Sequence, residues 1–255
     1  MLSQSKIQHS FHRALTSYND QAIVQRECAE TLLGHIIESR INTTLDRVFE
    51  FGCGTGFLTN QLTERLTINE LIVNDLVEEC QTYLPLSKLS FIDGDIDNIR
   101  IPQQCDLICS ASCVQWSNDL PALINQLTIA LNKDGYLAIS SFAESQFHEL
   151  TLLKGQQSDT ANRKLNYWSQ SMWRKQLEPS YHIELIASHQ TRLWFNSVKE
   201  LLQHLRLTGV NGSAGQIWNK QDLIKFENDY RNHFEVNGKV SLTYEPIYII
   251  GKKKT

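Results

Sequence analysis

Several features that would indicate a membrane, secreted or nucleic-acid-binding protein are missing from this sequence. Its 255 residues contain no uncharged apolar run near the roughly 20 residues that a membrane helix needs, and the N-terminus lacks the apolar core of a secretory signal. The net charge is -4, without the basic excess that binding to a phosphate backbone requires. The sequence therefore predicts a soluble, cytoplasmic protein that binds neither membranes nor nucleic acid.

Cysteines are present, but their spacing excludes the common metal sites. The six cysteines form no C-x-x-C pair of the kind that holds zinc or makes a redox centre. Cys105, Cys109 and Cys113 would share one face of a helix, but they begin in a run typical of a buried strand, where this spacing does not converge on a metal. We interpret the cysteines as buried thiols and predict no metal site.

Short apolar runs alternate with helical patterns along most of the chain. Phe11, Ala14 and Tyr18 recur at helical spacing, and a second helical pattern covers 21–39. The alternation that follows predicts a parallel sheet with helices packed on it. The predicted strands are 47–51, 70–74, 89–92, 106–110 and 136–142, then 183–195 and 242–250 after a polar insertion.

Turn and helix signals divide the chain without marking a domain boundary. Pro121 opens a helix, residues 132–135 form a turn just before the fifth strand, and a helical pattern from Val198 ends near Gly209. Another helix begins at Asp222. We expect one domain over 1–255, with N-terminal helices in 1–40, a cofactor-binding half in 41–143, and a substrate-side insertion with the C-terminal strands in 144–255.

A glycine-rich loop follows the first predicted strand. Gly52, Gly54 and Gly56 alternate after this buried run, which allows a tight turn with the backbone close to a nucleotide-like ligand. The dinucleotide fingerprint needs a glycine at position 57, where this chain has Phe57, so NAD is the minor alternative. A phosphate-binding Walker loop is excluded because no Gly-Lys-Ser/Thr follows.

Two acidic residues follow the next two strands. Asp75 ends the second strand about 20 residues after the loop, where a carboxylate binds ribose hydroxyls. Asp95 follows the third strand, where it would accept from an adenine amino group while Ile96 packs on the ring. For either acid alone, a helix cap or a turn is an equal alternative. Together with the glycine loop, the two acids favour a cofactor site.

Glu50, the loop, Asp75 and the run Gly94-Asp95-Ile96 together resemble the cofactor motifs of class I methyltransferases. The resemblance implies S-adenosylmethionine as cofactor and S-adenosylhomocysteine as product. It implies an α/β, Rossmann-like fold with a seven-stranded sheet, its last strand antiparallel, helices on both faces and an N-terminal helical lid. The cofactor residues that it implies are Glu50, Gly52, Cys53, Gly54, Gly56, Asp75, Leu76, Asp95, Ile96 and Ser112.

The flanking segments resemble one family more closely. Phe11-His12-Arg13-Ala14 with Tyr18, Val114-Gln115-Trp116, Leu193-Trp194-Phe195 and Leu242-Thr243-Tyr244 are similar to the malonyl-acyl-carrier-protein O-methyltransferases of biotin synthesis. The resemblance covers nearly the whole chain, although 211–219 does not align residue by residue and Glu50 replaces the more usual Asp. It implies methylation of the free carboxyl of a malonyl group on acyl carrier protein, or on coenzyme A, by an enzyme that we expect to be monomeric.

Carboxyl methylation needs no catalytic base, because a carboxylate with a reference pKa near 4 is already ionised at pH 7. The protein has to align and partly neutralise it. Tyr18, at the end of the N-terminal helix, and Arg206, as a bidentate clamp, are the catalytic candidates; a core tyrosine and a solvated arginine are the alternatives. Phe11, Gln115 and Trp116 are the predicted pocket residues, although Trp116 would equally suit the core.

Two other functions remain open from the sequence. The enzyme would act on another small carboxylate, such as one resembling trans-aconitate, or the chain would be a scaffold that binds the cofactor and acts through protein contacts alone. Because carrier proteins are usually acidic, methylation of a malonyl group on a carrier protein also predicts a local basic patch and turnover that depends on salt.

Overall fold

The computed structural model describes residues 4–39, 41, 44–154, 165–210 and 219–255. The helices in these residues are α1 (Gln4–Gln21), α2 (Ile23–Glu38), α3 (Phe57–Arg65), α4 (Leu120–Ala130), α5 (His148–Lys154), α6 (Gln170–Leu177), α7 (Val198–Leu207) and α8 (Lys220–Phe234). The strands are β1 (Thr44–Phe51), β2 (Thr67–Asp75), β3 (Ser90–Asp93), β4 (Cys105–Ala111), β5 (Leu131–Phe142), β6 (Tyr181–Ser188), β7 (Thr191–Phe195), β8 (Glu235–Val236), β9 (Lys239–Tyr244) and β10 (Pro246–Lys253). Short 3₁₀ helices occupy Glu78–Tyr83, Leu86–Lys88 and Val114–Trp116.

The chain folds into two compact units. The larger unit consists of residues 23–144, 165–188 and 246–255, and the smaller unit of the described residues within 1–22, 145–164 and 189–245. The chain passes between the units several times, so neither unit is a continuous stretch of sequence.

A seven-stranded sheet forms the centre of the larger unit, with the strand order β3-β2-β1-β4-β5-β10-β6. The first five strands in this order pair in parallel, while β10 runs antiparallel to both β5 and β6. The predicted α/β fold, with seven strands and an antiparallel last strand, is therefore confirmed.

Alternation along the strands explains why helices cover both faces of this sheet. Phe49 and Phe51 point to one side of β1, where they join a core cluster with residues of α4 and α6. Val48 points to the other side, into a cluster with residues of α2 and α3. Because successive side chains of a strand face opposite ways, a strand buried on both sides appears in the sequence as a continuous apolar run.

The smaller unit contains α1, α5, α7 and α8 around a three-stranded antiparallel sheet of order β7-β9-β8. Helix α7 begins at an N-cap, Ser197, whose side chain accepts from the backbone N–H of Glu200. Hydroxyl groups of α1 bind carbonyls at the end of α7: Ser17 Oγ donates to Leu207 O at 3.0 Å and Ser10 Oγ to Gly209 O at 3.1 Å.

Two of the predicted strands were wrong, because each one is a pair of strands in different sheets. The prediction 183–195 divides into β6 and β7, and 242–250 divides into β9 and β10. At the second break, Glu245 N–H donates to Gln146 Oε1 at 2.7 Å instead of to a neighbouring strand, and Pro246 has no N–H to continue the ladder. The apolar pattern runs through both breaks, so it did not reveal the second sheet.

The predicted turn at 132–135 was also placed wrongly, since it lies within β5. Leu131 pairs with Cys105 and Tyr136 with Leu107, so the extra residues bulge out of the strand, and Asp134 has a φ of 62°. The helix predicted at Pro121 is present, with Asp119 Oδ1 capping the N–H of Ala122 at 3.0 Å. Most of the segment 211–219 lies outside the described residues.

Candidate active site

Strands β3, β2, β1 and β4 are neighbours and run in parallel, so their carboxyl ends meet at one edge of the sheet. The chain moves outward from β1 through β2 to β3 and then returns to β4 on the other side of β1. This reversal between β1 and β4 is the position at which open α/β sheets bind ligands. The glycine loop leaves β1 at this position, as the sequence predicted.

The glycine loop has a conformation that other residues would strain. At Gly52, φ is 67° and an added Cβ would lie 2.4 Å from the Cβ and Sγ of Cys113, so no side chain fits. At Gly54, φ is 53° but no heavy atom of the described residues lies within 4 Å of an added Cβ. The loop is therefore packed on one side at Gly52, while the backbone at Gly54 faces open space that a ligand is able to fill.

Asp75 ties the glycine loop to the end of β2. Its Oδ2 accepts from Gly54 N at 2.8 Å, and its Oδ1 accepts from Val77 N at 2.9 Å. Burial raises the pKa of the Asp75 carboxyl, while the two backbone N–H groups and the Cys80 thiol oppose that shift. The bond to Val77 closes an Asx turn before the 3₁₀ helix Glu78–Tyr83, whose N-cap is Val77, so Asp75 does not cap that helix. Asp75 is half-buried as a residue, and its Oδ2 lies beside the backbone of Gly54.

Glu50 is the deepest acid at this edge, with a relative exposure of 1%. Its Oε2 accepts from Thr59 Oγ1 at 2.8 Å, which connects β1 to α3 beneath the loop. Burial raises the pKa of the Glu50 carboxyl to about 8, and the hydrogen bond from Thr59 only partly offsets this. Apart from any ligand, Glu50 is therefore mostly protonated at neutral pH.

Asp95 forms a turn after β3, which is the structural alternative that the sequence left open. Its carboxylate accepts from Asp97 N at 3.1 Å and from Asn98 Nδ2 at 2.8 Å. Ile96 is 7% exposed and packs into the core cluster on the α4 side of the sheet. A contact of Asp95 and Ile96 with adenine stays a prediction.

The segment after β4 contains the predicted pocket residues of the larger unit. Ser112 has a φ of 59°, and its carbonyl accepts from Gln115 Nε2 at 2.8 Å. Gln115 Oε1 accepts from Ser141 Oγ at 3.1 Å, and Gln115 is 4% exposed. Gln115 therefore braces the turn from within the core, while Trp116 on the same turn is half-buried.

Sequence reasoning missed two residues that hold this turn. Asp97 accepts from Ser117 Oγ at 2.6 Å and from Asn118 N at 2.5 Å, which joins the loop after β3 to the segment after β4. Asn166 donates its side chain to Ser117 O at 2.7 Å and its backbone N–H to Gln115 O at 3.3 Å. The partners are 20 to about 50 positions apart in the chain, so no local pattern marks these contacts.

The substrate candidates Phe11, Tyr18 and Arg206 all belong to the smaller unit. The hydrogen bond from Ser17 to Leu207 joins the residues next to Tyr18 and Arg206, so the backbone of α1 at Tyr18 lies near that of α7 at Arg206. Tyr18 is half-buried, and the Arg206 side chain is exposed. The Phe11 ring packs on Gly209, where an added Cβ would lie 2.6 Å from Phe11 Cδ1.

A third polar residue that the sequence did not reveal is Glu149, on α5 of the smaller unit. Its Oε1 accepts from Thr243 Oγ1 at 2.7 Å and Ser241 Oγ at 3.1 Å, and its Oε2 accepts from Thr243 N at 3.0 Å. Glu149 is 0% exposed. These bonds fasten α5 to β9, so Glu149 is a structural residue of this unit.

The described residues include no cluster of metal-ligand side chains and no helix that could cross a membrane. No group of three or more His, Cys, Asp or Glu side chains in the described ranges is placed to hold a metal ion. No helix among the same residues has both the length and the apolar character to cross a membrane.

Residues 6–180 match the family model of a methyltransferase domain. The fold is also that of the N-methyltransferase NodS from Bradyrhizobium japonicum, solved in complex with S-adenosyl-L-homocysteine, with a TM-score of 0.58 and 15% identity over 98% of this chain and 100% of that one. The sheet topology, the loop and the family match together define a class I methyltransferase.

Curated relatives narrow this class to one family. The chain is 35% identical to the malonyl-(acyl-carrier protein) O-methyltransferase of Acinetobacter baylyi, covering 99% of this chain and 98% of the relative. It is 32% identical to the protein of the same name from Bacteroides thetaiotaomicron, covering 99% of each. The chain belongs to the malonyl-(acyl-carrier protein) O-methyltransferase family, as the flanking motifs predicted.

Proposed function

We propose that this protein transfers a methyl group from S-adenosylmethionine to the free carboxyl of a malonyl group on acyl carrier protein. The observation that carries the proposal is the bond from Gly54 N to Asp75 at the reversal point of the sheet. The names of the relatives supply the substrate. We also propose that the enzyme is cytoplasmic and monomeric, and that its product is a pimelate precursor for biotin synthesis.

The residues at the edge of the sheet where the carboxyl ends of the strands meet are suited to binding S-adenosylmethionine. Asp75 is set to accept from ribose hydroxyls, and the open backbone at Gly54 leaves room for the methionine part. The cofactor supplies an electrophilic methyl group when bound. The remaining residues proposed to line it are Glu50, Gly52, Cys53, Gly56, Leu76, Asp95, Ile96 and Ser112.

The role of the protein toward the malonyl carboxylate is to orient it and exclude water. The carboxylate is ionised at neutral pH, so no residue has to remove a proton. The Tyr18 hydroxyl donates to one carboxylate oxygen and the Arg206 guanidinium to both, which fixes the attacking lone pair. Because Arg206 is exposed to solvent, it binds the substrate carboxylate only moderately. The ground state is therefore not stabilised more than the transition state.

A substrate comparison tests the proposed function. We expect faster methylation of malonyl-acyl carrier protein than of malonyl-coenzyme A, and little methylation of free diacids such as trans-aconitate. Radiolabelled methyl transfer measures all three substrates under one condition. Equal rates on a free diacid would contradict the carrier-linked function, and absence of S-adenosylmethionine binding in calorimetry would contradict enzymatic methyl transfer altogether.

Variants of the smaller unit test the carboxylate contacts. We expect Arg206→Ala to lower kcat/KM about a hundredfold and Tyr18→Phe about tenfold, because each removes a hydrogen bond to the reacting carboxylate. Calorimetric affinity for S-adenosylhomocysteine should stay unchanged in both. Lys199→Ala, which removes an exposed cation from the same helix as Arg206, is the matched control. Full activity in either variant would remove that residue from the site.

A further inference from the structure

One face of α1 is basic over most of the helix. Lys6, His9 and Arg13 are exposed and spaced by three and four residues, so they follow one another along a single side of the helix. The sequence from residue 1 has no acidic residue before Asp20, near the end of α1. We call Lys6, His9 and Arg13 the α1 basic face.

The α1 basic face is held in a fixed orientation within the smaller unit. Ile7 and Ala14 are buried on the other side of the helix, with exposures of 6% and 2%. Ser10 and Ser17 donate to carbonyls of the α7 end, and Phe11 packs on Gly209. The basic side chains therefore extend from a helix that is already held in place. Binding of a partner to them costs little conformational entropy beyond that of the side chains themselves.

Some charges elsewhere in the smaller unit are neutralised by ion pairs. On α8, Arg231 pairs with Glu227 at 3.5 Å and with Glu235 at 2.6 Å. Lys6 and Arg13, in contrast, form no ion pair with any other residue in the described ranges. Residues 4–19 of α1 contain no acid, so the positive charge of the α1 basic face is not neutralised along most of its own helix, which suits an anionic partner.

We propose that the α1 basic face is the docking surface for the acidic carrier protein that presents the malonyl group. This inference rests on the proposed function. Arg13 and Tyr18 are five residues apart, about 7 Å along the helix axis. A carrier bound at the basic face is therefore held by the same helix that positions the malonyl carboxylate through Tyr18.

Charge reversal on α1 tests this docking surface. In Lys6→Glu/Arg13→Glu, we expect KM for malonyl-acyl carrier protein to rise about tenfold at low salt, with kcat nearly unchanged, because docking charges act mainly on association. KM for malonyl-pantetheine, which has the reacting group without the protein, should stay the same. Wild-type KM for the carrier substrate should rise with salt, and that dependence should be much weaker in the variant.

The control is Lys220→Glu/Lys225→Glu, which reverses two exposed lysines of α8 in the same unit and should leave both KM values unchanged. The variant Lys6→Ala/Arg13→Ala removes the same two cations without adding acids, so it controls for an effect of the new acids on α1. It should raise KM for the carrier substrate about threefold. Unchanged carrier KM in both α1 variants, or an equal loss on both substrates, would overturn the docking surface alone. A wild-type protein inactive on both malonyl thioesters would overturn the proposed function, and the docking surface with it.

Discussion

In the larger unit, the carboxylates of Glu50 and Asp75 lie at the ends of adjacent strands and bind the segments that leave the sheet there. In the smaller unit, Glu149 projects from a helix and binds the hydroxyls and backbone of a strand. Both units therefore bury acids among hydrogen-bond donors. The two kinds of acid differ in whether a ligand is able to reach them.

Glu149 is fully enclosed, and its donors are residues of its own unit, so it has no route to a ligand. Asp75 is half-buried as a residue and bonds to Gly54, where the backbone faces open space, so a molecule bound at the glycine loop would lie next to it. An enclosed acid is expected to determine stability and an accessible acid to determine binding. The expected effects of three substitutions follow from this difference.

The largest effect is expected at Glu149. Glu149→Ala removes the acceptor of three buried hydrogen bonds, which should lower the free energy of unfolding by about 4 kcal/mol. Urea titration measures this loss. Glu227→Ala, which breaks only the ion pair with Arg231 at the surface of the same unit, should cost less than about 0.5 kcal/mol. A small loss in Glu149→Ala would mean that this cluster does not hold α5 to β9.

A substitution of Asp75 should affect ligand binding rather than stability. In Asp75→Ala, affinity for S-adenosylhomocysteine should fall about a hundredfold, since the proposed ribose contact and the anchor of the glycine loop are both lost. Isothermal titration calorimetry gives the affinity, and Asp106→Ala, at the amino end of β4, is a control acid in the same unit. Normal affinity in Asp75→Ala would refute the ribose role and the contrast with Glu149.

The third expected effect is a pH dependence at Glu50. Because its pKa in the folded protein is about 8 and its reference value is 4.5, the folded state holds a proton that the unfolded state releases between these values. Stability from this group is complete below about pH 4.5 and is lost as the pH rises toward 8. Glu50→Gln should remove this decline, because an amide does not titrate in this range.

Unfolding measured from pH 5 to 8 in wild type and Glu50→Gln would isolate this contribution, since histidine titration is common to both proteins. Thr59→Val is the companion variant, because it removes the hydrogen bond to Glu50 and leaves the acid in place. Parallel stability profiles for wild type and Glu50→Gln would show that Glu50 is ionised in the folded protein.

The sequence predicted the larger unit well because its signals are local. A buried strand followed by alternating glycines, and an acid at the end of the next strand, are readable within about 30 residues of chain. The cofactor candidates accordingly lie at the ends of adjacent parallel strands in the structure. In the smaller unit, β7 pairs with β9 about 50 positions later, and Glu149 binds Ser241 and Thr243 more than 90 positions later, so these contacts left no local pattern.

By itself, the sequence determined the α/β class, the position of the glycine loop and the family, because apolar periodicity, glycine spacing and short motifs depend on residues close together in the chain. Only the tertiary structure decided that β6 and β7, and β9 and β10, separate into different sheets. It also decided that Asp97 and Asn166 hold the turn after β4. These outcomes depend on which distant backbone groups pair, and the same apolar pattern is compatible with a continuous strand or a broken one.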